Sequence, residues 1–314
     1  MTSKFKVAVL GIGGVGGYFG GKLAAHYSNS NDVEIIFIAN GDSEKAIRSV
    51  GLKLITSQGE QIIHPAIVTS QPVELKSVDL IICCIKSYDL KESVASLKPC
   101  VNDKTIILPL LNGIDAAERI KRILPHAEVW EGCVYIISRL IAPGVVKESG
   151  NINRLYFGSK QGTKENLQLV ETLFTSAGIN AHVSSNILQT LWEKFLFISP
   201  LATLTSYFDL CIGDVVSDQS HRELLLNLLA EIKNLAGAKG INLSENIIQK
   251  TLDRISSLPY ESTSSMHSDF QKRGKTEVNS LTAYVVELGR VLNIATPYYQ
   301  KMLLGLNEKP VKQR

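Results

Sequence analysis

Over the first 185 residues, short unbroken apolar runs alternate with stretches whose apolar positions recur at helical spacing. "KVAVLG", "VEIIFI", "LIICCI" and "TIILPL" have no polar face, as expected of parallel strands covered on both sides. Helical stretches lie between them, one following Gly16 and one over "DLKESVASL". Such alternation predicts a doubly wound parallel sheet, a Rossmann-type α/β domain. "LKLITSQGEQIIHPAIV" reads instead as a hairpin with Gly59 in its turn. "EVWEGCVYII", "RLIAPGVVKESG" and "NRLYFG" are expected to extend the sheet as antiparallel strands. "KENLQLVETLFTSAG" predicts a helix closed by Gly178, and "INAHVS" a last strand.

From about Asn186 the strand pattern disappears. "ILQTLWEKFLFISPLATLTSYF", "QSHRELLLNLLAEIKNLAGAKG", "SENIIQKTLDRISS" and "TEVNSLTAYVVELGRVLN" all carry helical periodicity. The expected organisation is therefore 1–185 as a Rossmann-type α/β domain and 186–314 as an all-helical domain, with a cleft between them. Pro200 should kink or end its helix. One polar stretch, "SSMHSDFQKRGKTEVN" (264–279), has no amphipathic period and interrupts the helical half.

Composition narrows the class. The 314 residues are 45% hydrophobic and 20% charged, with a net charge of +3 spread along the chain. The one basic cluster is the tail "EKPVKQR", expected to be frayed. Nucleic-acid binding would need a concentrated basic patch, so no nucleic-acid partner is expected. No apolar run reaches the ~18 residues of a membrane span. The start, "MTSKFKVAVLG", enters a strand at once, unlike a signal peptide. Cys83, Cys84, Cys100, Cys133 and Cys211 show no C-x-x-C and no metal-ligand spacing with the six histidines. No metal site is expected, and a reduced, cytoplasmic protein fits.

Candidate chemistry begins in "VLGIGGVGGYFGGKLA". Gly11, Gly13 and Gly16 form G-x-G-x-x-G directly after a strand and at the opening of a helix, the context the motif requires. Gly11 permits a tight turn, Gly13 a close approach of the pyrophosphate, and Gly16 close packing of helix on strand. Together with Gly14 they are the expected cofactor contacts. An acid normally ends the next strand, where it meets the ribose 2′-hydroxyl. Here that tip carries Asn40, able to bond a 2′-hydroxyl or a 2′-phosphate but without charge. Lys45 and Arg48 follow, either meeting a phosphate or simply solvated. Ligands in open α/β sheets bind beyond the carboxyl ends of the strands, where Lys86 follows "LIICCI" and Asn112 follows "TIILPL". Solvation would equally explain the lysine, and a turn the Asn112-Gly113 pair.

In "TLWEKFLFISPL", Lys194 has Thr190, Leu191, Phe197 and Ile198 as neighbours at helical spacing. Either its ammonium snorkels to water, or it is held in a cleft, desolvated and fit to act as a general acid. Glu277 falls in line with Leu281, Tyr284 and Leu288 on one helix face. It either completes a cap with Thr276 as N-cap or meets a cation or a ligand hydroxyl.

Taken in order, "GIGGVGGYFGGKLA", "IKSYD", "LNGI", "LWEKFLF" and "SSMHSDFQKRGKTEVN" resemble the ketopantoate reductases (2-dehydropantoate 2-reductases) over nearly the whole chain. The resemblance implies NADPH-dependent reduction of 2-dehydropantoate to (R)-pantoate, on the route to pantothenate and coenzyme A. It implies Lys194 as the lysine that bonds and protonates the ketone oxygen, and Glu277 as the carboxylate that binds the substrate hydroxyl and helps hold the lysine. It implies Ser265 at the substrate carboxylate, Asn112 where cofactor and substrate meet, and Lys86 near the cofactor. Two positions depart from the family pattern. Asn40 replaces an arginine that reads the 2′-phosphate, which leaves NAD open beside NADP. Ile198 replaces an asparagine at the substrate, which favours a more apolar pocket. The alternatives are a related reductase of another 2-oxo or imino acid, and a dinucleotide-binding sensor without catalysis. A homodimer, if formed, is expected through the helical domain.

Overall fold

The computed structural model describes residues 4–309; the end of the basic tail, from residue 310, lies outside the described residues. The chain divides into two compact units. One holds the chain to Leu111 and Asp115–Ile187, and the other holds Asn112–Ile114 and the chain from Leu188 on.

The first unit runs β1 (Phe5–Leu10), α1 (Gly14–His26), β2 (Val33–Ile38), α2 (Gly41–Val50), β3 (Leu52–Thr56), β4 (Gly59–Ile63), β5 (Ile67–Thr69), β6 (Leu80–Cys83), α3 (Leu90–Ala95), β7 (Ile106–Pro109), α4 (Ala116–Ile123), β8 (Glu128–Val129), β9 (Glu131–Ala142), β10 (Val145–Gly158), α5 (Lys164–Ser176) and β11 (Asn180–Val183). Six strands form a parallel sheet in the order β5-β2-β1-β6-β7-β8. The unbroken apolar runs now have a cause. Val7, Val9, Phe37, Ile82 and Leu108 enter a core on one face. Ala8, Leu10, Ile36, Ile81 and Ile107 enter a core on the other. Successive side chains of a strand point to opposite faces, so a sheet buried on both sides needs apolar residues at every position.

The expected antiparallel extension of this sheet does not occur. A second sheet forms instead, in the order β11-β10-β3-β4 with β9 on β10. Strand β10 pairs antiparallel with β9 but parallel with β3 and β11. The hairpin read from the sequence is β3–β4 alone, and the "AIV" at its end becomes β5 at the edge of the first sheet. Alternation in these strands decides the outcome. Leu52, Leu54, Ile63, Val146, Leu155 and Phe157 present one apolar face to the core that also holds Val7, Val9 and Phe37. Helix α1 lies in that layer. A Cβ on Gly20 would stand 3.1 Å from Phe37 and Val9 of the first sheet, whereas one on Gly17 would stand 2.5 Å from Val146 of the second. The surplus glycines of "GGVGGYFGG" are thus demanded by packing on both sides.

The second unit contains α6 (Ile187–Phe208), α7 (Ile212–Ser217), α8 (Gln219–Ala238), α9 (Ile247–Ser256), α10 (Ser265–Gln271), a π-helical turn (Asn279–Ala283), α11 (Tyr284–Leu292) and α12 (Pro297–Asn307). No strand occurs in it among the described residues. Trp192, Phe195, Leu228, Ile232, Leu281 and Tyr299 belong to its core, and Ile114 packs against that core. Helix α6 runs through Pro200 rather than ending there. Tertiary bonds hold it in place: Ser199 Oγ donates to the Leu281 carbonyl at 2.5 Å, and the Thr203 and Thr282 hydroxyls pair at 2.8 Å. Those contacts outweigh the one main-chain bond a proline removes. No helix among the described residues is long and apolar enough to cross a membrane.

The polar stretch 264–279 is more ordered than its composition suggests. Ser264 caps α10 by accepting from the His267 N–H at 3.0 Å. Met266 and Phe270, one turn apart, enter the core. His267 is buried and bridges Thr263 and Asp209 at 2.5 and 2.6 Å. Lys272 and Arg273 beyond it are exposed.

Candidate active site

The residues singled out in the sequence fall into two sets, one in each unit. In the first, the glycine loop follows β1. Gly11 adopts φ +90°, a left-handed conformation that disfavours a side chain. A Cβ there would also stand 2.6 Å from Ile85 Cγ2. A Cβ on Gly16 would collide with the Gly11 carbonyl oxygen, and one on Gly14 with the Ser138 carbonyl of β9. Gly13 differs from these three. Its φ of −91° suits any residue, and no protein atom lies within 4 Å of where its Cβ would be. Nothing in the fold therefore requires glycine at position 13. The space beside it is the kind of cradle a phosphate fills at the N-terminus of a helix, where the first N–H groups lack internal partners. Helix α1 has no side-chain N-cap to satisfy them. These features fit a dinucleotide pyrophosphate.

Lys86 is half-buried and begins the turn after β6. Its neighbour Ile85 packs under Gly11, so Lys86 flanks the loop. Asn40 ends the β2 segment and precedes α2, exposed and with no cap bond from its side chain. Lys45 is 81% exposed and 3.6 Å from Asp42. Arg48 donates to Glu44 at 3.0 Å. Both cations are accounted for on the surface of α2, so they supply no evidence of a phosphate pocket.

One residue of this unit passed unnoticed in the sequence. Glu131 opens β9, and burial, with the charge of Glu118 adding to it, pushes its carboxyl up to about 7. The next residue, Gly132, packs against Leu108, Leu110 and the Pro109 carbonyl, which places Glu131 near the carboxyl edge of the first sheet. The available signal was an acid directly before the apolar run "GCVYII".

The second set lies in the helical unit. Lys194, in α6, is only 6% exposed. Its Nζ donates to Asn112 Oδ1 at 3.1 Å. That bond joins residues 82 apart in sequence, and it explains why Asn112–Ile114 belongs to this unit although β7 precedes it. Gly113, at φ +100°, makes the turn that allows this. An ammonium this enclosed must be held by hydrogen bonds, because burying a bare charge is costly. Snorkelling is excluded by the same burial.

Glu277 is 2% exposed. The Leu281 N–H donates to its carbonyl at 3.0 Å, so Glu277, rather than Thr276, stands at the helix start. The π-helical turn follows directly; such turns cluster at functional sites. The turn and α11 are joined to α6 by Ser199–Leu281, Thr203–Thr282 and the edge-on pair Phe195–Tyr284. The elements that carry Lys194 and Glu277 are therefore fixed to each other. Ser265 is the exposed first residue of α10, beside the capping Ser264, whose Oγ also pairs with Thr205 at 2.8 Å. Ile198, one turn after Lys194, is half-buried against the helical core.

Comparison with known proteins supplies independent findings. The sequence model described as "Ketopantoate reductase PanE/ApbA" matches residues 7–162, and the one described as its C terminal matches residues 186–309. The chain is 26% identical over 302 residues to "Uncharacterized oxidoreductase YkpB" of Bacillus subtilis, covering 96% of this chain and 97% of that one. The crystal structure of 2-dehydropantoate 2-reductase from Porphyromonas gingivalis W83 superposes with a TM-score of 0.85 at 35% identity, covering 98% and 100%. D-mandelate dehydrogenase, solved with NADH and anilino(oxo)acetate, shares the fold at a TM-score of 0.85 and 23% identity, covering 97% and 98%.

Proposed function

The chain belongs to the ketopantoate reductase family, and on that premise we propose that it reduces a 2-oxo acid to the 2-hydroxy acid with NADPH or NADH, 2-dehydropantoate being the leading substrate. The observation that carries this reading is the buried ammonium of Lys194 bonded to Asn112. A lysine left only 6% exposed on the apolar helix α6 needs a reason to be there, and a ketone oxygen that gains negative charge provides one.

A bound reduced dinucleotide supplies a hydride to the carbonyl carbon. The chain's own residues do the rest. Gly13 and the N-terminus of α1 take the pyrophosphate, with Lys86 beside them. Lys194 donates a hydrogen bond to the ketone oxygen, stabilises its developing charge and gives up a proton to the alkoxide. Asn112 orients the ammonium through its Oδ1. Glu277 accepts from the substrate hydroxyl, and Ser265 donates to the substrate carboxylate. A reduced, cytoplasmic setting and synthesis of pantothenate are parts of the same proposal.

A second substrate reading rests on Ile198. An apolar, half-buried side chain one turn from the acid offers the substrate no hydrogen bond, which favours a 2-oxo acid with a hydrophobic tail. The shared fold does not separate the two, since D-mandelate dehydrogenase has it as well. The test is nicotinamide oxidation with 2-dehydropantoate and a panel of aliphatic and aromatic 2-oxo acids, each with both cofactors. Highest kcat/KM for 2-dehydropantoate supports the leading reading. Highest kcat/KM for a bulkier acid replaces it. Tight cofactor binding without turnover of any acid would instead make the chain a sensor.

A further inference from the structure

The β9–β10 hairpin slips in register between Ser149 and Asn153. Within the slip, Gly150 and Asn151 adopt φ +90° and +53°. Bulges of this kind re-aim side chains and are common beside binding sites. Here Asn151 and Asn153 line a cavity of about 300 Å³ together with Tyr18, Lys22, Gln58 and Glu148. That volume is at the lower end of small-molecule pockets. The cavity lies wholly in the first unit, and its lining includes none of the residues assigned above to cofactor or substrate.

Glu148 is the informative residue. It is 6% exposed, and its Oε1 has no hydrogen-bond partner among the described residues. Glu231 of the helical unit is equally buried, yet its two oxygens accept from the N–H groups of Tyr298 and Tyr299 at 2.8 and 3.0 Å. The fold can therefore satisfy both oxygens of a buried glutamate, and at Glu148 Oε1 it does not. A buried carboxylate oxygen without a hydrogen-bond partner works against folding, and a local cost of this kind is characteristic of a binding site. On the same wall, Lys22 makes no ion pair among the described residues. Tyr18 Oη accepts from Asn153 Nδ2 at 2.8 Å, which leaves its own proton to donate into the cavity.

We propose that this cavity is a second ligand site, for a small zwitterion that carries a primary ammonium group and a carboxylate, such as a free amino acid. Glu148 takes the ammonium, Lys22 the carboxylate, and the Tyr18 hydroxyl and the neighbouring amides hold the remaining polar atoms. Helix α1 carries the glycine loop at its N-terminus and Tyr18 and Lys22 further along, so cofactor affinity is a built-in control for the integrity of any variant.

The experiment is calorimetric titration of the full chain with a panel of free amino acids, each paired with its N-acetyl form. Saturable binding of at least one free amino acid is expected, weakened at least about tenfold by N-acetylation, by Glu148→Gln and by Lys22→Met. Cofactor affinity should stay within about twofold in both variants. Without ligand, Glu148→Gln should melt at or above the wild-type temperature, because it removes an unpaired charge. Absence of saturable binding across the panel overturns the proposal. So does equal binding by Glu148→Gln, or a lower melting temperature in that variant, which would make Glu148 a structural carboxylate.

Discussion

Helices α1 and α6 both run through the interior of their units, and they are built in opposite ways. Helix α1 has glycine at positions 14, 16, 17, 20 and 21, so that two sheets can close on it and its first turn stays bare. Helix α6 is thick with Leu191, Trp192, Phe195, Leu196 and Leu201, and it buries Lys194, Ser199, Thr203, Thr205 and Ser206 among them. A site that works through backbone N–H groups is made by removing side chains. A site that works through charge is made by enclosing one. The first leaves a mark in sequence that any similar site must share. The second leaves only a lysine in apolar company, which in most proteins is an ordinary surface residue.

The largest expected effect sits on α6. Lys194→Ala should lower kcat by about 10²–10⁴ while cofactor affinity, read by nicotinamide fluorescence, stays nearly unchanged. Surviving activity would remove the lysine from the proton-donating role and with it the contrast between the helices. Next comes a pair of substitutions on the glycine loop. Gly16→Ala places a methyl on the Gly11 carbonyl and should destabilise by about 3 kcal/mol or more in urea titration. Gly13→Ala meets nothing and should cost under about 1 kcal/mol, yet weaken cofactor binding about tenfold. If both behave alike, the open space beside Gly13 is not a phosphate cradle.

A smaller effect concerns charge buried in the glycine-bearing unit. The Glu131 carboxyl is raised from 4.5 to about 7, so between those values the folded chain binds more protons than the unfolded one. Its favourable contribution is fully present below about pH 4.5 and is lost as pH rises through about 7. Glu131→Gln should remove that loss, gaining roughly 3 kcal/mol over the wild type at pH 8 relative to pH 4.5. A difference that does not grow with pH would show that Glu131 titrates normally. The smallest effect is at the tip of β2. Asn40→Arg should raise the NADPH:NADH ratio of kcat/KM by about tenfold, and an unchanged ratio would place residue 40 away from the 2′ group.

Much of this was legible in the sequence. The four core strands of the first sheet and the glycine loop were readable because a doubly buried strand admits only apolar residues. The major helices were readable from their period. Strands of the second sheet were expected as an antiparallel extension of the first, since alternation tells which face of a strand is buried but not against what. Met266 and Phe270 are a single turn of amphipathic pattern, too short to stand out from "SSMHSDF". The burial of Lys194 could not be separated from snorkelling without its partner Asn112, and no local signal links residues 82 apart.

The excursion of Asn112–Ile114 has a practical corollary for dividing the protein. Cutting the gene after Ile187 would yield two fragments that resemble separate modules, but the helical one would lack the asparagine that holds its lysine. The α/β half, conversely, would carry three residues whose companions are elsewhere. The two halves are therefore not interchangeable cassettes. A chimera that imports a foreign helical half inherits the host's Asn112 loop, and its success depends on how those three residues suit the new lysine.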